Sequence, residues 1–240
     1  MSSKDQDRTF IAKLRREALL KVEGSDASKF LQGQVTCDIR TITHKSSLGA
    51  HCTHKGRMLF SFLALASSPE KIYLRLPSEQ TQVALDALNK YIIFSKAKVE
   101  KFSSDCLQLG IWGPDARSII ISTFGLCPEE NSAFIQTDQH TVIQLSESRF
   151  ECWLHSTNTT ENTNTLTRLE ENTVPREYNH WQLVDIQSGI GHVYAQNTEQ
   201  FIPQMLNYQT LGAISFNKGC YTGQEIVARM QYHGKLKRHM

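Results

Sequence analysis

One short run near the end of the chain, KGCYTGQE at residues 218–225, combines residue types that could do thiol chemistry. Cys220 lies between Gly219 and Gly223, and glycines permit positive φ and a close approach of the backbone to a ligand. Lys218 precedes the cysteine by two positions, so an extended backbone would place both side chains on one face. A nearby ammonium favours thiolate over thiol. The run therefore predicts an activated thiol at a catalytic site, with a buried cysteine in a tight structural turn as the alternative.

Other residues of this run add possible hydrogen-bond donors and a possible ion pair. Thr222 and the backbone amides of a Gly-rich turn are hydrogen-bond donors. Glu225 lies further along the run and is a candidate ion-pair partner for Lys218. These features extend the predicted thiol site to a small loop that is rich in donors.

The composition restricts the class of protein. With 240 residues and a formal net charge of +2, the chain is long enough for one large or two modest domains and has no global field that recruits nucleic acid. Its six cysteines form no CxxC pair, which predicts reduced thiols of a cytosolic protein. No apolar run approaches the ~20 residues that cross a bilayer, and the first residues show neither a signal nor a transit pattern. We therefore expect a cytoplasmic protein without a membrane partner.

Apolar patterns along the chain predict the elements that must position this loop. They indicate two α+β units of similar plan, each a sheet with helices on one face. The predicted domains are residues 1–103, residues 104–175, and a helix plus the signature run at 176–240 that packs back on the first unit. Strands are predicted at 17–23, 48–53, 57–66, 71–76, 97–102, 105–111, 133–136, 140–145 and 149–154, and helices at 26–33, 83–92, 114–124, 159–171 and 176–187.

A second group of residues, His51, Cys52 and His54, has the composition of a metal cluster. In a hairpin strand, however, His51 and Cys52 point to opposite faces of the sheet. No fourth ligand lies at a spacing that is familiar from zinc sites. No grouping of cysteines resembles an iron–sulfur cluster site either. We therefore expect structural roles for these residues and no metal site.

Several runs of the sequence resemble the YgfZ/GcvT folate-binding superfamily, on its YgfZ side. KGCYTGQE and the preceding FIPQMLNYQTLGAISF are similar to the signature region of YgfZ-type members, and FLQGQVTCD (30–38) and AHCTHKGRMLF (50–60) resemble the two N-terminal blocks in the same order. The resemblance implies two GcvT-type, ferredoxin-like α+β units with antiparallel sheets around a central folate cavity. Relatives usually continue into a C-terminal β-barrel, which we expect to be absent because the sequence ends at HGKLKRHM.

The resemblance also implies functional residues and a cofactor, tetrahydrofolate or another folate derivative. Cys220 would be the reactive or essential thiol, with Lys218 beside it. Trp181 matches an aromatic position that contacts folate, and its alternative is a residue of the helix core. Gln187 falls where relatives often carry a pterin-binding glutamate, and Glu17 falls where some place a folate-facing tryptophan. The residues assigned to folate on this basis are Trp181, Gln187, Arg229, Arg57, Tyr221 and Glu225.

The glutamate tail of a folate carries carboxylates that need cations. Arg229 and Arg57 are the preferred candidates among the basic residues near the signature run. Lys235, Lys237 and Arg238 rank lower, because a run such as KLKR is usually a solvated face.

Three functions fit these residues. The first is a folate-binding accessory protein for iron–sulfur cluster assembly or repair and linked tRNA modification, acting through Cys220. Its partners would be folate, iron–sulfur enzymes or assembly proteins and, indirectly, tRNA. The second is a tetrahydrofolate-dependent aminomethyltransferase with one-carbon transferase activity, although that branch normally lacks the signature cysteine. The third is a tRNA-binding module that uses the basic tail at 235–238.

Overall fold

The structure, a computed structural model, describes residues 7–102 and 105–233. The chain forms two compact units. The first unit holds the residues up to Arg15 and the stretch that ends at Val184, and the second holds Arg16–Phe102 and the chain from Asp185 onward. The basic tail at 235–238, which the sequence offered as a tRNA contact, lies outside the described residues.

Eleven strands and six α-helices make up the described residues. In chain order the strands are β1 (Phe10–Lys13), β2 (Glu17–Glu23), β3 (Ser47–Cys52), β4 (Met58–Ser68), β5 (Lys71–Pro77), β6 (Lys98–Lys101), β7 (Leu107–Trp112), β8 (Phe134–Gln136), β9 (His140–Ser146), β10 (Arg149–Leu154) and β11 (Val174–Pro175). The helices are α1 (Ala27–Gln32), α2 (Thr81–Ile92), α3 (Ala116–Phe124), α4 (Thr160–Glu171), α5 (Tyr178–Gln187) and α6 (Gln224–His233).

The predicted α+β class is confirmed, and every predicted strand and helix is present with ends within two residues of the expected bounds. Three elements were not predicted. β1 and β11 are too short to show a period-2 pattern. The third, α6, begins inside the signature run, where Gly223 precedes its first residue.

The sheet of the second unit has five antiparallel strands in the order β3-β4-β5-β2-β6. Successive side chains of a strand point to opposite faces, so alternate residues of β4 divide between two cores. Phe60 and Phe62 join the core that also contains residues of α1 and α2. On the other face, the Ser61 hydroxyl accepts a hydrogen bond from the Val193 amide at 2.8 Å. Met58 also packs on this face, with Val193 and Tyr208, because the pairing of β4 with β3 shifts register between Phe60 and Met58. The C-terminal part of the chain therefore covers the second face of this sheet, which is where the signature run lies.

The sheet of the first unit has six strands in the order β11-β1-β7-β10-β9-β8. All pairs are antiparallel except β1 with β11, which is parallel. One face packs against apolar residues of α3 and α4, such as Ile120 and Leu169. The other face carries Phe10 and Trp112 and is covered by α5 through Trp181. Both sheets are open, and the described residues contain no closed barrel.

The division into units differs from the predicted domain boundaries in two places. Residues up to Arg15 belong with the later half of the chain, because β1 is hydrogen-bonded between β11 and β7. The second division falls within α5, after Val184, rather than before the helix. None of the described helices is long and apolar enough to cross a bilayer.

Candidate functional site

The signature run forms a loop in the second unit that is buried at both ends and exposed in the middle. Lys218 and Tyr221 have only 6% and 7% of their surface exposed, whereas Gly219 and Cys220 between them are exposed. The loop then turns at Gly223, which has a φ of 83°, and enters α6. The thiol is therefore presented at the surface by a loop whose ends are embedded in the protein. This differs from the alternative of a buried cysteine in a structural turn.

Lys218 is directed into the protein. Its Nζ donates hydrogen bonds to the backbone oxygens of Val35 and Cys37, both at 2.7 Å, and lies 5.0 Å from the centre of the Tyr221 ring. Burial lowers the pKa of Lys218 to about 8. Glu225 is exposed on α6 and makes no ion pair with Lys218 in the structure. The predicted ion pair is therefore wrong, because the ammonium of Lys218 donates to two backbone carbonyl oxygens instead.

The block FLQGQVTCD, at residues 30–38, is hydrogen-bonded to the signature loop and to the chain that precedes it. The Thr36 hydroxyl donates to the Ala213 carbonyl at 2.7 Å, and the Thr36 carbonyl accepts from the amide of Ser215 at 2.9 Å. Further along, the amide of Thr222 donates to the carbonyl of Gly33 at 3.3 Å. Two runs that are almost two hundred residues apart in sequence thus form one local structure.

The block around Gly56 supports the other end of the loop. Gly56 occupies the turn between β3 and β4 with a φ of 70°, and Gly223 packs directly against it. A Cβ added at Gly223 would lie 2.5 Å from the Thr53 carbonyl oxygen and 3.2 Å from the Gly56 Cα. Gly223 therefore meets the predicted need for a glycine, through both its conformation and its close contacts. Gly219 does not, because its φ is not positive and no atom lies within 4 Å of an added Cβ.

Cys220 is exposed, whereas the other five cysteines are buried or partly buried. Burial raises the pKa of Cys37 to about 11 and that of Cys52 to about 12, so these buried thiols stay protonated near neutral pH. Burial also raises the pKa values of Cys106 and Cys127. By access alone, Cys220 is the thiol that a ligand or a partner protein can reach.

The backbone beside Cys220 offers donors to an incoming group. Within the described part of the chain, the amides of Gly219 and Cys220 donate no hydrogen bond to protein. An exposed thiol beside free N–H groups can act as a nucleophile whose target develops negative charge within reach of those donors. The open space next to Gly219 leaves room for such a target.

Four of the residues assigned to folate lie wholly or partly at the surface. Arg57 follows Gly56 and donates from Nη1 to the Gln200 carbonyl at 2.7 Å while remaining partly exposed. Arg229 is exposed on α6, as is Glu225, and Gln187 is exposed at the end of α5. All four belong to the second unit, together with Cys220.

Tyr221 differs from these surface residues. It is buried, and its hydroxyl has no hydrogen-bond partner among the residues that the structure describes. Burial raises its pKa, so the phenol keeps its proton and remains a donor. An unsatisfied buried hydroxyl costs free energy, which makes Tyr221 a candidate for contact with a ligand.

Trp181 lies in the core of the first unit and has no exposed surface. The Arg149 guanidinium lies over its ring, 3.9 Å from the centroid, and Trp112 meets it edge-on at 5.7 Å. Gly110 provides the room for the indole, because a Cβ there would overlap the Trp181 ring. This is the helix-core arrangement that the sequence offered as the alternative, and contact of Trp181 with folate stays a prediction.

His51, Cys52 and His54 do not converge on one point in the structure. His51 stacks on Phe60, its Nδ1 lies 2.8 Å from the Gln34 carbonyl, and burial lowers its pKa to about 4. Cys52 belongs to the core on the opposite face of the sheet, and His54 is exposed in the turn. Across residues 7–102 and 105–233, no three His, Cys, Asp or Glu side chains form a group that could hold a metal ion.

Comparison with known proteins identifies the family. The GCVT N-terminal domain family matches residues 11–149. The chain is 32% identical over 233 residues to the tRNA-modifying protein YgfZ of Colwellia psychrerythraea, which covers 96% of this chain and 70% of that protein. The protein of the same name from Hamiltonella defensa is 36% identical over 221 residues. The chain belongs to the YgfZ family. The resemblance predicted from KGCYTGQE and the N-terminal blocks is therefore confirmed.

A solved structure gives the same fold for this YgfZ family member. The glycine cleavage system aminomethyltransferase T from Bartonella henselae matches with a TM-score of 0.79 over 95% of this chain and 64% of that chain. Their sequences are only 14% identical, so this likeness concerns the fold alone. The chain spans 65% of the length of the Hamiltonella YgfZ protein.

A buried polar cluster on the second face of the five-stranded sheet was missed by sequence reasoning. Arg75 Nη1 lies 3.3 Å from Glu17 Oε2, and His192 Nε2 lies 3.4 Å from Asp185 Oδ2. The Tyr208 hydroxyl donates to the Gly191 carbonyl at 2.8 Å, and burial raises its pKa. The available signal was a charged residue in an apolar strand, Arg75 in KIYLRL. In this YgfZ family member, the Glu17–Arg75 ion pair and the His192–Asp185 contact thus lie where the C-terminal part of the chain covers the sheet.

Proposed function

We propose that this YgfZ family member is a folate-binding accessory protein that supports iron–sulfur cluster assembly or repair, and the tRNA modification that depends on it, through Cys220. The observation that carries the proposal is the presentation of this thiol. It is exposed on a loop whose ends are embedded in the protein by Lys218 and Gly223. The relatives' shared name, tRNA-modifying protein YgfZ, supports the connection to tRNA.

The residues of the second unit fit a folate-type ligand in their chemistry. The tail carboxylates of a folate would be held by Arg57 and Arg229, since guanidinium groups bind carboxylates through paired hydrogen bonds. The unpartnered hydroxyl of Tyr221 is a buried donor that a polar ligand edge would satisfy. The amide of Gln187 keeps two donors and one acceptor for such an edge but lacks the charge of a carboxylate. A bound tetrahydrofolate would supply a carrier for one-carbon units.

The chain's own contribution to a reaction would centre on the thiol. As a thiolate, Cys220 can attack an electrophilic carbon: the S–C bond forms as the bond between that carbon and its previous carrier breaks, and the carrier leaves with the electron pair of that bond. The free amides of Gly219 and Cys220 would stabilise negative charge that develops on the group under attack. Its exposure lets a macromolecular client reach the sulfur directly, as an accessory role requires.

Complementation tests the proposal in a strain that lacks its own YgfZ protein. We expect wild type to restore the activity of iron–sulfur enzymes and Cys220→Ala to restore little of it. Cys127→Ala is the matched control, because this partly buried thiol lies in the other unit. Full rescue by Cys220→Ala would remove the thiol from the function and favour an aminomethyltransferase-type activity.

Titration with tetrahydrofolate tests the cofactor separately. We expect Arg57→Met and Arg229→Met each to weaken binding by about tenfold, the effect of losing one charge-assisted hydrogen bond. Lys29→Met, an exposed substitution on α1, is the control. If neither Arg57→Met nor Arg229→Met changes the affinity, the assignment of these two arginines to the folate tail would be contradicted.

A further inference from the structure

The side chain of Lys218 points away from the exposed thiol and into the protein. Its two hydrogen bonds reach Val35 and Cys37, on either side of Thr36. Thr36 is hydrogen-bonded twice to the chain that leads to the signature loop: its hydroxyl donates to the Ala213 carbonyl, and its carbonyl accepts from the Ser215 amide. The stretch 213–218 therefore lies beside the segment 35–37 and is fastened to it at both ends.

We propose that Lys218 is a positioning residue that fastens the Cys220 loop to the segment 35–37, and not a charge partner of the thiol. After Lys218, the next hydrogen bond from this loop to the 30–38 block is made by the amide of Thr222 to Gly33. The exposed residues Gly219 and Cys220 are held between these two anchors. Loss of the first anchor would free the loop that presents the thiol.

The charge on Lys218 makes this anchor strong. Burial disfavours an ammonium, but the two carbonyl oxygens at 2.7 Å accept charge-assisted hydrogen bonds that compensate for it. The other groups that face the amine are the Cys37 thiol, the Asp38 carboxylate, the Arg40 guanidinium and the Tyr221 ring. A neutral amine could still donate to the carbonyls but would lose the assistance of the charge.

Hydrogen–deuterium exchange of the purified protein, combined with alkylation of Cys220, tests the proposal. In Lys218→Met we expect the two hydrogen-bonded amides of the loop, those of Tyr221 and Thr222, to exchange about ten- to a hundredfold faster, the range for losing charge-assisted hydrogen bonds. We expect the pH midpoint of iodoacetamide alkylation at Cys220 to stay where it is in wild type. Lys29→Met should change neither measurement. A midpoint that rises by a pH unit or more with unchanged exchange would make Lys218 an activator of the thiol and overturn the proposal, as would no change in either measurement.

Wild type provides the second measurement if Lys218→Met does not fold. Raising the pH from 7 to 10 neutralises the Lys218 amine, whose pKa is lowered to about 8. After correction for intrinsic base catalysis, protection of the Tyr221 and Thr222 amides should fall while protection in α2 persists. Constant protection of these two amides would contradict the proposal. The inference rests on the proposed function only for the importance of Cys220, and because exchange needs neither folate nor a client protein, the two can fail separately.

Discussion

The two glycines that flank the signature cysteine provide a matched pair of substitutions with opposite expected outcomes. Gly223→Ala places a Cβ 2.5 Å from the Thr53 carbonyl oxygen, at a backbone φ of 83°. Gly219→Ala places a Cβ in open space on a backbone without positive φ. The two variants have the same chemistry and lie four residues apart, so a difference between them reports on the packing of the loop.

The expected magnitudes follow from these contacts. A positive φ costs an alanine roughly 1–2 kcal/mol, and displacing a backbone carbonyl to relieve the overlap costs about 1–3 kcal/mol more. Gly223→Ala should therefore lower the free energy of unfolding by roughly 2–5 kcal/mol. For a chain of this size that corresponds to a Tm lower by about 4–20 °C. Gly219→Ala should stay within about 0.5 kcal/mol of wild type.

Thermal unfolding followed by circular dichroism measures both variants under the same conditions. A Tm for Gly223→Ala within 1 °C of wild type would refute the packing of the signature loop against the turn at Gly56. The same variants can be assayed in the complementation strain. If Gly219→Ala is stable but fails to rescue, the requirement for glycine at this position comes from a ligand or partner that approaches Cys220.

Three further outcomes are expected. Gly110→Ala should destabilise the first unit by about 2–4 kcal/mol in urea unfolding, because its Cβ overlaps the Trp181 ring. Unchanged stability would contradict this packing. Folate titration should use Trp181→Phe, since Trp181→Ala alone would lower the free energy of unfolding by about 3–5 kcal/mol. The folded-state pKa of His51, about 4, lies below its ordinary 6.5, so the unfolded chain binds a proton first as the pH falls. The free energy of unfolding should therefore fall by about 3 kcal/mol from pH 6.5 to pH 4, and His51→Gln should flatten this dependence. An equal pH dependence in both proteins would contradict the role of His51. Hydrogen bonds from Arg40 lower the pKa of Asp38 to about 2, so the stabilising contribution of Asp38 is present above about pH 4 and is lost as the pH falls toward 2. In an NMR titration, Arg40→Met should move the Asp38 midpoint up toward 3.8. An unchanged midpoint would show that Arg40 is not the cause of the lowered pKa.

The elements with a clear periodic pattern could be predicted from the sequence. Apolar alternation in KIYLRL is the pattern of a strand, and the spacing of Ala84, Leu88 and Ile92 on α2 buries one helical face. Local turn chemistry was also accessible, since Gly56 and Gly223 both have positive φ. These features depend on residues close in sequence, which is why a single sequence was sufficient.

The contacts that define the candidate site could not be predicted in the same way. Lys218 reaches carbonyl oxygens, and a backbone carbonyl has no sequence signature because every residue carries one. Nothing near Trp181 in sequence shows that Gly110 leaves the space for its indole. The Glu17–Arg75 pair depends on the register of β2 with β5, which pattern reasoning did not determine.

The position of β1 has a consequence for how the protein is made. This strand is synthesised before the whole of Arg16–Phe102, yet its antiparallel neighbour β7 leaves the ribosome only after that stretch has been translated. During that interval its backbone groups have neither of their sheet partners, and closing so long a loop slows folding. A polypeptide that starts at Arg16 would lack an inner strand of the six-stranded sheet, and a synthetic peptide spanning Phe10–Lys13 could insert into the gap between β11 and β7.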